Sequence, residues 1–393
     1  MSLCQKLQES RSQARLTQQQ VADVLHVPRE SISMWEQGTR VPGLKQLEDL
    51  ARLYSVTSDY LLGKTELAPQ VEEREVLCRG LVENPSVHLE FKRWFDFLDS
   101  WADLTEQAGL PARNSGKPPK KLDRGADFTD GRQAPTLAAE TRKEFGLGGD
   151  AIPDVYTFLD EQHILVCKAN LGDWQTGAQG ISGAFHNHRK LGYCILVNVQ
   201  NSLGRQSFTL AHELAHALFH YNCRSLISIY KDPSPRESFA DSFASHFLVP
   251  IKTLNRVIDN ASWSGRLDQY KVIELAHIFR VSYAFMLYRL RNEKHITDDQ
   301  RKAWEKCSPT ALAQQLGLDS DVFNKPGNPV LSLNRYPASV VQTVRDLIFD
   351  DELSSSQAAD LLDVSTAHIQ ALLMTDLPPA TPEERRELCE YPF

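Results

Sequence analysis

The chain has 393 residues, of which 41% are hydrophobic, 24% charged and 9% aromatic. That is enough apolar material for two or three packed domains of roughly 100–200 residues each, and too much for wholesale disorder. Apolar runs such as Ile195 to Val199 and Phe247 to Ile251 fall far short of the roughly 18 residues a spanning helix needs, so no membrane segment is expected. With 43 basic and 51 acidic residues the formal charge is −8, which excludes nucleic-acid binding by bulk charge alone, since phosphate neutralisation needs lysine and arginine. The first residues, MSLCQKLQ, lack the apolar core of a signal peptide, and a cytoplasmic location is expected. Seven scattered cysteines (4, 78, 167, 194, 223, 307 and 389), never spaced as Cys-x-x-Cys, predict reduced thiols rather than a disulfide framework or a thiolate zinc knuckle.

The expected architecture is multidomain: an all-α N-terminal domain, an α+β domain with a small sheet, and an all-α C-terminal region. Residues 1–66 place apolar side chains at helical spacing (Leu7, Val21, Leu25, Ile32, Leu47, Leu50) between tight turns. Thr17 caps a predicted helix from Gln18 to Leu25, Pro28 begins a second that runs through Trp35, and Gly38 ends it. Residues 1–65 hold eight basic against seven acidic residues, so this segment is about neutral while the remainder carries the excess acid.

The stretch LTQQQVADVLHVPRESISMWEQGTR resembles the helix-turn-helix of the phage-repressor (XRE, Cro/C1-type) family. The resemblance implies double-stranded DNA as a partner. In this geometry the start of the second helix faces base edges in the major groove, which singles out Arg29, Glu30 and Ser33, with Gln18 and Arg40 near the phosphate backbone. Such heads read paired half-sites, so a homodimer is expected. Near-neutral charge also permits the alternative of a protein-docking module.

Next come a helical connector over 67–112, with Phe91, Trp94, Phe95, Leu98 and Trp101 at helical spacing, and a Gly-, Pro- and charge-rich stretch over 113–135 with the composition of an exposed, flexible linker. Residues 136–295 predict a helix (Thr136 to Phe145), three strand-like runs (His163 to Lys168, Gly180 to His186, Gly192 to Val199) and a long helix from Ser207. Residues 296–393 read as helical, with a last cluster from Ala338 to Leu373 before a Pro-rich tail.

The strongest chemical signal is His212-Glu213-Leu214-Ala215-His216. Four residues apart on a helix, the two imidazoles share a face and can reach one tetrahedral zinc ion, while Glu213 beside them can act as the base of peptide hydrolysis. His220 is too far from His212 to join them, since eight residues of helix rise about 12 Å. For the third ligand, of the gluzincin kind, Glu237 in ESFADSFASHFLVP is the choice, with His246 the lesser competitor. Asp241, one turn on, could accept the free ring N–H of a ligand histidine.

The HELAH helix and the ESFADSFASHFLVP helix together resemble the ImmA/IrrE family of metallopeptidases. The match extends to Arg205, to Phe208–Leu210, to Ile195–Asn198 and to ETRKEFGLG at 140–148, covering roughly 136–292. Departures are Asp241 where the family often has Asn, and Phe247 and Val249 for Leu and Met. The resemblance implies a zincin-like fold for the α+β domain and a zinc endopeptidase with His212, His216 and Glu237 as ligands and Glu213 as base, often one that cuts a helix-turn-helix repressor. The expected function is therefore a DNA-binding regulator that hydrolyses a peptide bond in such a repressor or in itself. The alternative is a transcription factor whose peptidase-like domain has become a sensor or interaction module.

Overall fold

The computed structural model describes residues 2–13, 16–25, 27–54, 56, 58–63, 85–110, 116–125, 127–172, 180–221, 225–229, 234–261, 263, 267–324 and 332–374. The first part of the expected connector helix (71–84), Cys78, Cys223, Cys389 and the Pro-rich tail lie outside the described residues. Among the described residues no helix is long and apolar enough to cross a membrane. Cys4, Cys167, Cys194 and Cys307 are not in disulfides. The chain divides into two compact units, residues 1–99 and 100–393.

The first unit contains α1 (Leu3–Gln13), α2 (Gln18–Leu25), α3 (Arg29–Gln37), α4 (Leu44–Tyr54) and the short α5 (Ser58–Leu61). A further helix, α6 (Pro85–Gln107), runs across the division. Thr17 opens α2 by a reciprocal cap: its Oγ1 accepts from the Gln20 N–H at 3.2 Å and the Gln20 side chain accepts from the Thr17 N–H at 2.8 Å. Pro28 holds the extended N-cap position of α3, one residue ahead of the helix it was expected to begin. Gly38 closes α3 at φ +75°, a left-handed conformation that costs glycine nothing. Leu7, Val21, Ile32, Trp35, Leu50, Leu53, Leu61 and Leu89 form the core that these turns draw together.

The second unit is built on a four-stranded sheet of β1 (Leu165–Ala169), β2 (Ile181–His188), β3 (Gly192–Asn198) and β4 (Ser225–Ile229), in the order β1-β3-β2-β4. β1 runs parallel to β3, while β2 is antiparallel to both β3 and β4. All seven residues of β3 are buried, as an internal strand covered on both faces requires. Helix α9 (Leu203–Phe219) packs on β2 and β3, and α10 (Pro235–Leu248) packs in turn on α9 and on α7 (Ala134–Glu144). Phe219, Phe239, Phe243 and Phe247 fill the seam between α9 and α10 in a run of stacked and edge-on rings. Arg142 of α7 is buried, and its guanidinium donates to the carbonyls of Phe247 (2.6 Å) and Gly148 (2.9 Å), tying α7 to the end of α10.

After α11 (Ile251–Asn260), helices α12 (Gln269–Ile278) and α13 (Tyr283–Asn292) pack as a pair, followed by α14 (Asp298–Trp304) and α15 (Pro309–Gln315). The last three helices are α16 (Ala338–Phe349), α17 (Ser355–Leu361) and α18 (Thr366–Leu373), and Asp160 of α8 (Val155–Glu161) accepts from the Ser339 N–H at 3.0 Å to anchor α16.

Two expectations need correction. The sheet has a fourth strand, β4, that the alternation pattern of five short residues did not reveal. The stretch 116–135 is not an exposed linker where described: Leu122 is buried in the core of the second unit and Phe128 packs against it. Its composition is polar because most side chains face water, while these two apolar residues hold it down.

Candidate metal centre and helix-turn-helix surface

The HELAH motif sits in the last two turns of α9, whose backbone puts His212 and His216 on one face with ring centroids 4.8 Å apart. Opposite them, Ser234 caps α10 by accepting from the Glu237 N–H at 3.3 Å, with Pro235 at the first helical position. A glutamate at this third position commonly bends back on its own cap. Here Glu237 points across the seam instead, with Oε2 2.9 Å from His212 Nε2 and Oε1 3.2 Å from His216 Nε2. The two Nε2 atoms are 3.0 Å apart. One turn along α10, Asp241 Oδ1 accepts from His212 Nδ1–H at 2.9 Å.

Glu213 is fully buried, and neither carboxylate oxygen has a hydrogen-bond partner of full geometry among the described residues; the Ser228 hydroxyl of β4 is close enough only to favour its charge weakly. Burial pushes the Glu213 carboxyl up to about 8, against the pull of His212. The space it occupies exists because residue 183 has no side chain: a Cβ there would stand 3.0 Å from Glu213 Oε1 and 2.7 Å from Thr209 Cγ2. Gly183 lies in β2 opposite Val197 and Ser228, next to a shift in register with β4.

Burial alone would keep His212 neutral, but Asp241 and Glu237 outweigh it and push the ring up to about 10. Burial likewise opposes the charge of Glu237, yet His212 and His216 hold its carboxyl well below the usual carboxylate range. His216 is lowered by burial, and His220 is lowered by burial to about 3. His220 caps the end of α9, with Nδ1 2.8 Å from His216 Nδ1 and Nε2 2.8 Å from the Phe128 carbonyl.

In the first unit, Arg29 and Glu30 are exposed and Ser33 half-buried along the outer face of α3, whose inner face buries Ile32 and Trp35. Arg11 and Glu36 pair through two hydrogen bonds of 2.6 and 3.0 Å. Gln18 Nε2 donates to the same Glu36 at 2.9 Å, and Arg29 Nη2 reaches 3.5 Å from Gln18 Oε1. The start of α2 and the start of α3 are thereby fixed to one another. Arg40, just past Gly38, is exposed.

Residues 7–61 match the helix-turn-helix family, and residues 159–291 match the IrrE N-terminal-like domain of peptidase family M78. The chain is similar to the uncharacterized HTH-type transcriptional regulator YobD of Bacillus subtilis (strain 168), 35% identical over 98 residues that make up 24% of this chain and 86% of that protein. The chain belongs to the helix-turn-helix transcriptional regulators. This regulator is also 39% identical over 72 residues to the HTH-type transcriptional regulator ImmR of Bacillus subtilis (strain 168), covering 18% of this chain and 57% of that protein. A third relative, the HTH-type transcriptional activator BcrR of Enterococcus faecalis, is 40% identical over 72 residues, 18% of this chain and 35% of that protein.

Within the regulator, His212, His216 and Glu237 converge on one point, with Asp241 beside His212 and Glu213 behind. His246, the competing ligand, turns away: its Nδ1 meets the Ser242 carbonyl at 2.8 Å and its Nε2 the Arg289 guanidinium at 3.1 Å. Gly183, Ser228 and Phe128 went unread in the sequence. A glycine inside a strand pattern is the one signal that pointed at the first of these.

Proposed function

We propose that this regulator binds duplex DNA through residues 1–66 and hydrolyses a peptide bond, in a helix-turn-helix repressor or in itself, at zinc held by His212, His216 and Glu237 in the domain 136–295. The observation that carries the reading is the convergence of three ligand-type atoms, all within 4.8 Å of one another, beside a buried carboxylate without a full partner. The donor set fits zinc. Ligand atoms bound tetrahedrally at about 2.0–2.1 Å stand about 3.3 Å from each other, and here the separations are 2.9, 3.0 and 3.2 Å. Zinc bound there would polarise the scissile carbonyl as a Lewis acid and make water a better nucleophile near neutral pH.

The chain's own groups supply the remainder. Glu213 takes the proton of the attacking water on a carboxylate oxygen and returns it to the nitrogen of the leaving amine. Burial raises its carboxyl, which makes it a stronger acceptor for that proton than an exposed glutamate. Asp241 accepts from His212 Nδ1–H and so holds that ring with Nε2 turned inward. The test is metal removal. Purified native protein is expected to carry one zinc per chain and to cut a co-expressed helix-turn-helix repressor, or itself, as read by mass spectrometry, and chelation is expected to stop the cut until zinc is restored. Cleavage that survives complete chelation would overturn the reading.

On the DNA side, Arg29 is the proposed reader of guanine, Glu30 of cytosine and Ser33 a third base-reading residue, with Gln18 and Arg40 near the phosphate backbone. Two copies on a palindromic operator are the matching assembly, in the cytoplasm where such DNA lies. Arg29→Ala is expected to cost about 1–3 kcal/mol of specific affinity and leave non-specific binding nearly unchanged. Fluorescence anisotropy on a duplex selected from random sequences checks this, and equal losses on selected and random duplexes would count against Arg29 as a base reader.

A further inference from the structure

We infer that His220 is a positioning residue for the metal site, transmitting the backbone carbonyl of Phe128 to His216 so that His216 presents a bare Nε2 to Glu237 and His212. The inference rests on the reading of His212, His216 and Glu237 as ligands and deepens it.

The argument is one of donors and acceptors. A carbonyl oxygen only accepts, so the 2.8 Å contact between His220 Nε2 and Phe128 O requires the proton on Nε2. With its ring proton on Nε2, neutral His220 has a lone pair at Nδ1, which can only accept. The 2.8 Å contact between the two Nδ1 atoms then requires the proton of His216 on its Nδ1. His216 is itself fully buried and is left with a lone pair at Nε2, which faces Glu237 Oε1 at 3.2 Å and His212 Nε2 at 3.0 Å. Asp241 imposes the same orientation on His212 from the other side. Both imidazoles are thus held at Nδ1 from outside the triad with Nε2 turned inward, one by a carboxylate and one, through His220, by a carbonyl 92 residues before His220 in sequence.

The carbonyl is itself held. The Phe128 N–H donates to the Phe219 carbonyl at 3.1 Å, and its ring packs edge-on against Phe239 with centroids 5.5 Å apart. Next to it, Asp127 pairs with Arg236 at 2.7 Å, one residue before Glu237. The segment before α7 is in this way fastened to both ligand-bearing helices.

Three variants of the full chain separate the two hydrogen bonds. His220→Asn puts an amide oxygen where Nδ1 was, so His216 keeps an acceptor while the bond to Phe128 is lost. His220→Gln puts an amide N–H near the former Nε2, so Phe128 keeps its donor while His216 loses its acceptor. His220→Phe removes both. Zinc affinity is read by competition with a chromophoric chelator, and thermal unfolding of each metal-free protein monitors the fold. The Gln and Phe variants are expected to bind zinc about 10–100-fold more weakly, the usual cost of removing the group that orients a ligand histidine, while the Asn variant stays within about threefold of native. Native affinity in the Gln and Phe variants, or a loss in Asn as large as in Phe, overturns the inference. The Asn and Gln comparison decides it even if His220→Phe fails to fold. Native protein that takes up no zinc would instead overturn the metal reading, and this inference with it.

Discussion

Replacing Glu213 by Gln is expected to abolish cleavage while leaving one zinc per chain. The amide matches the carboxylate in shape and reaches the same space left by Gly183, but it cannot accept and return a proton. General acid–base groups contribute about 10²–10⁴ in rate, so product should fall by two to four orders of magnitude against native protein in a mass-spectrometric time course. Zinc content is expected to hold because Glu213 is not one of the three converging groups. The unfolding temperature should not fall either, since a buried carboxylate lacking a full hydrogen bond contributes activity at the expense of stability. Undiminished cleavage by the Gln variant would assign the proton transfer elsewhere. A protein that neither native nor variant form can make cut anything, with zinc bound, would favour a sensor over an enzyme.

The largest stability effect is expected from Phe243→Ala. Its side chain is fully buried and stacks on Phe247 at 5.5 Å and 13°, on Phe239 at 6.4 Å and 24°, and edge-on to Phe219 at 5.5 Å and 64°. Truncation leaves a cavity in the seam between α9 and α10, where neither helix can move in without disturbing its other partners. Buried phenylalanines truncated in this way cost about 3–5 kcal/mol, which for a unit of this size lowers the unfolding temperature by roughly 10 °C. The same seam sets the spacing of Glu237 on α10 from His212 and His216 on α9, so zinc affinity should fall together with stability. Differential scanning calorimetry with and without zinc separates the two. An unfolding temperature within a degree or two of native would show that the aromatic run adds little.

What the sequence made legible follows from how local each feature is. Thr17, Pro28 and Gly38 act within a few residues of themselves, so the bounds of α2 and α3 could be read to within a residue or two. The pairing of His212 with His216 is a consequence of helical pitch, and helical rise likewise carries His220 to the end of α9, against His216 rather than His212. Convergence of Glu237 with the two histidines could be named only through the motif on α10, because the distance between two helices is set by the aromatic seam and not by spacing along the chain. Strand β4 escaped notice because five residues at a sheet edge carry little alternation. Gly183 and Phe128 escaped because each matters through one atom, or its absence, beside a residue that is distant in sequence.

The attachment of Asp127 and Phe128 to α9 and α10 bears on how the domain matched to peptidase family M78 can be excised. A recombinant fragment begun at Thr136, where the helical pattern starts, would contain every converging group yet omit the carbonyl that His220 needs and the ring that lies on Phe239. A truncation placed at Gly116 keeps both, along with the Gly116 carbonyl that accepts from Asn187 Nδ2 at 2.9 Å.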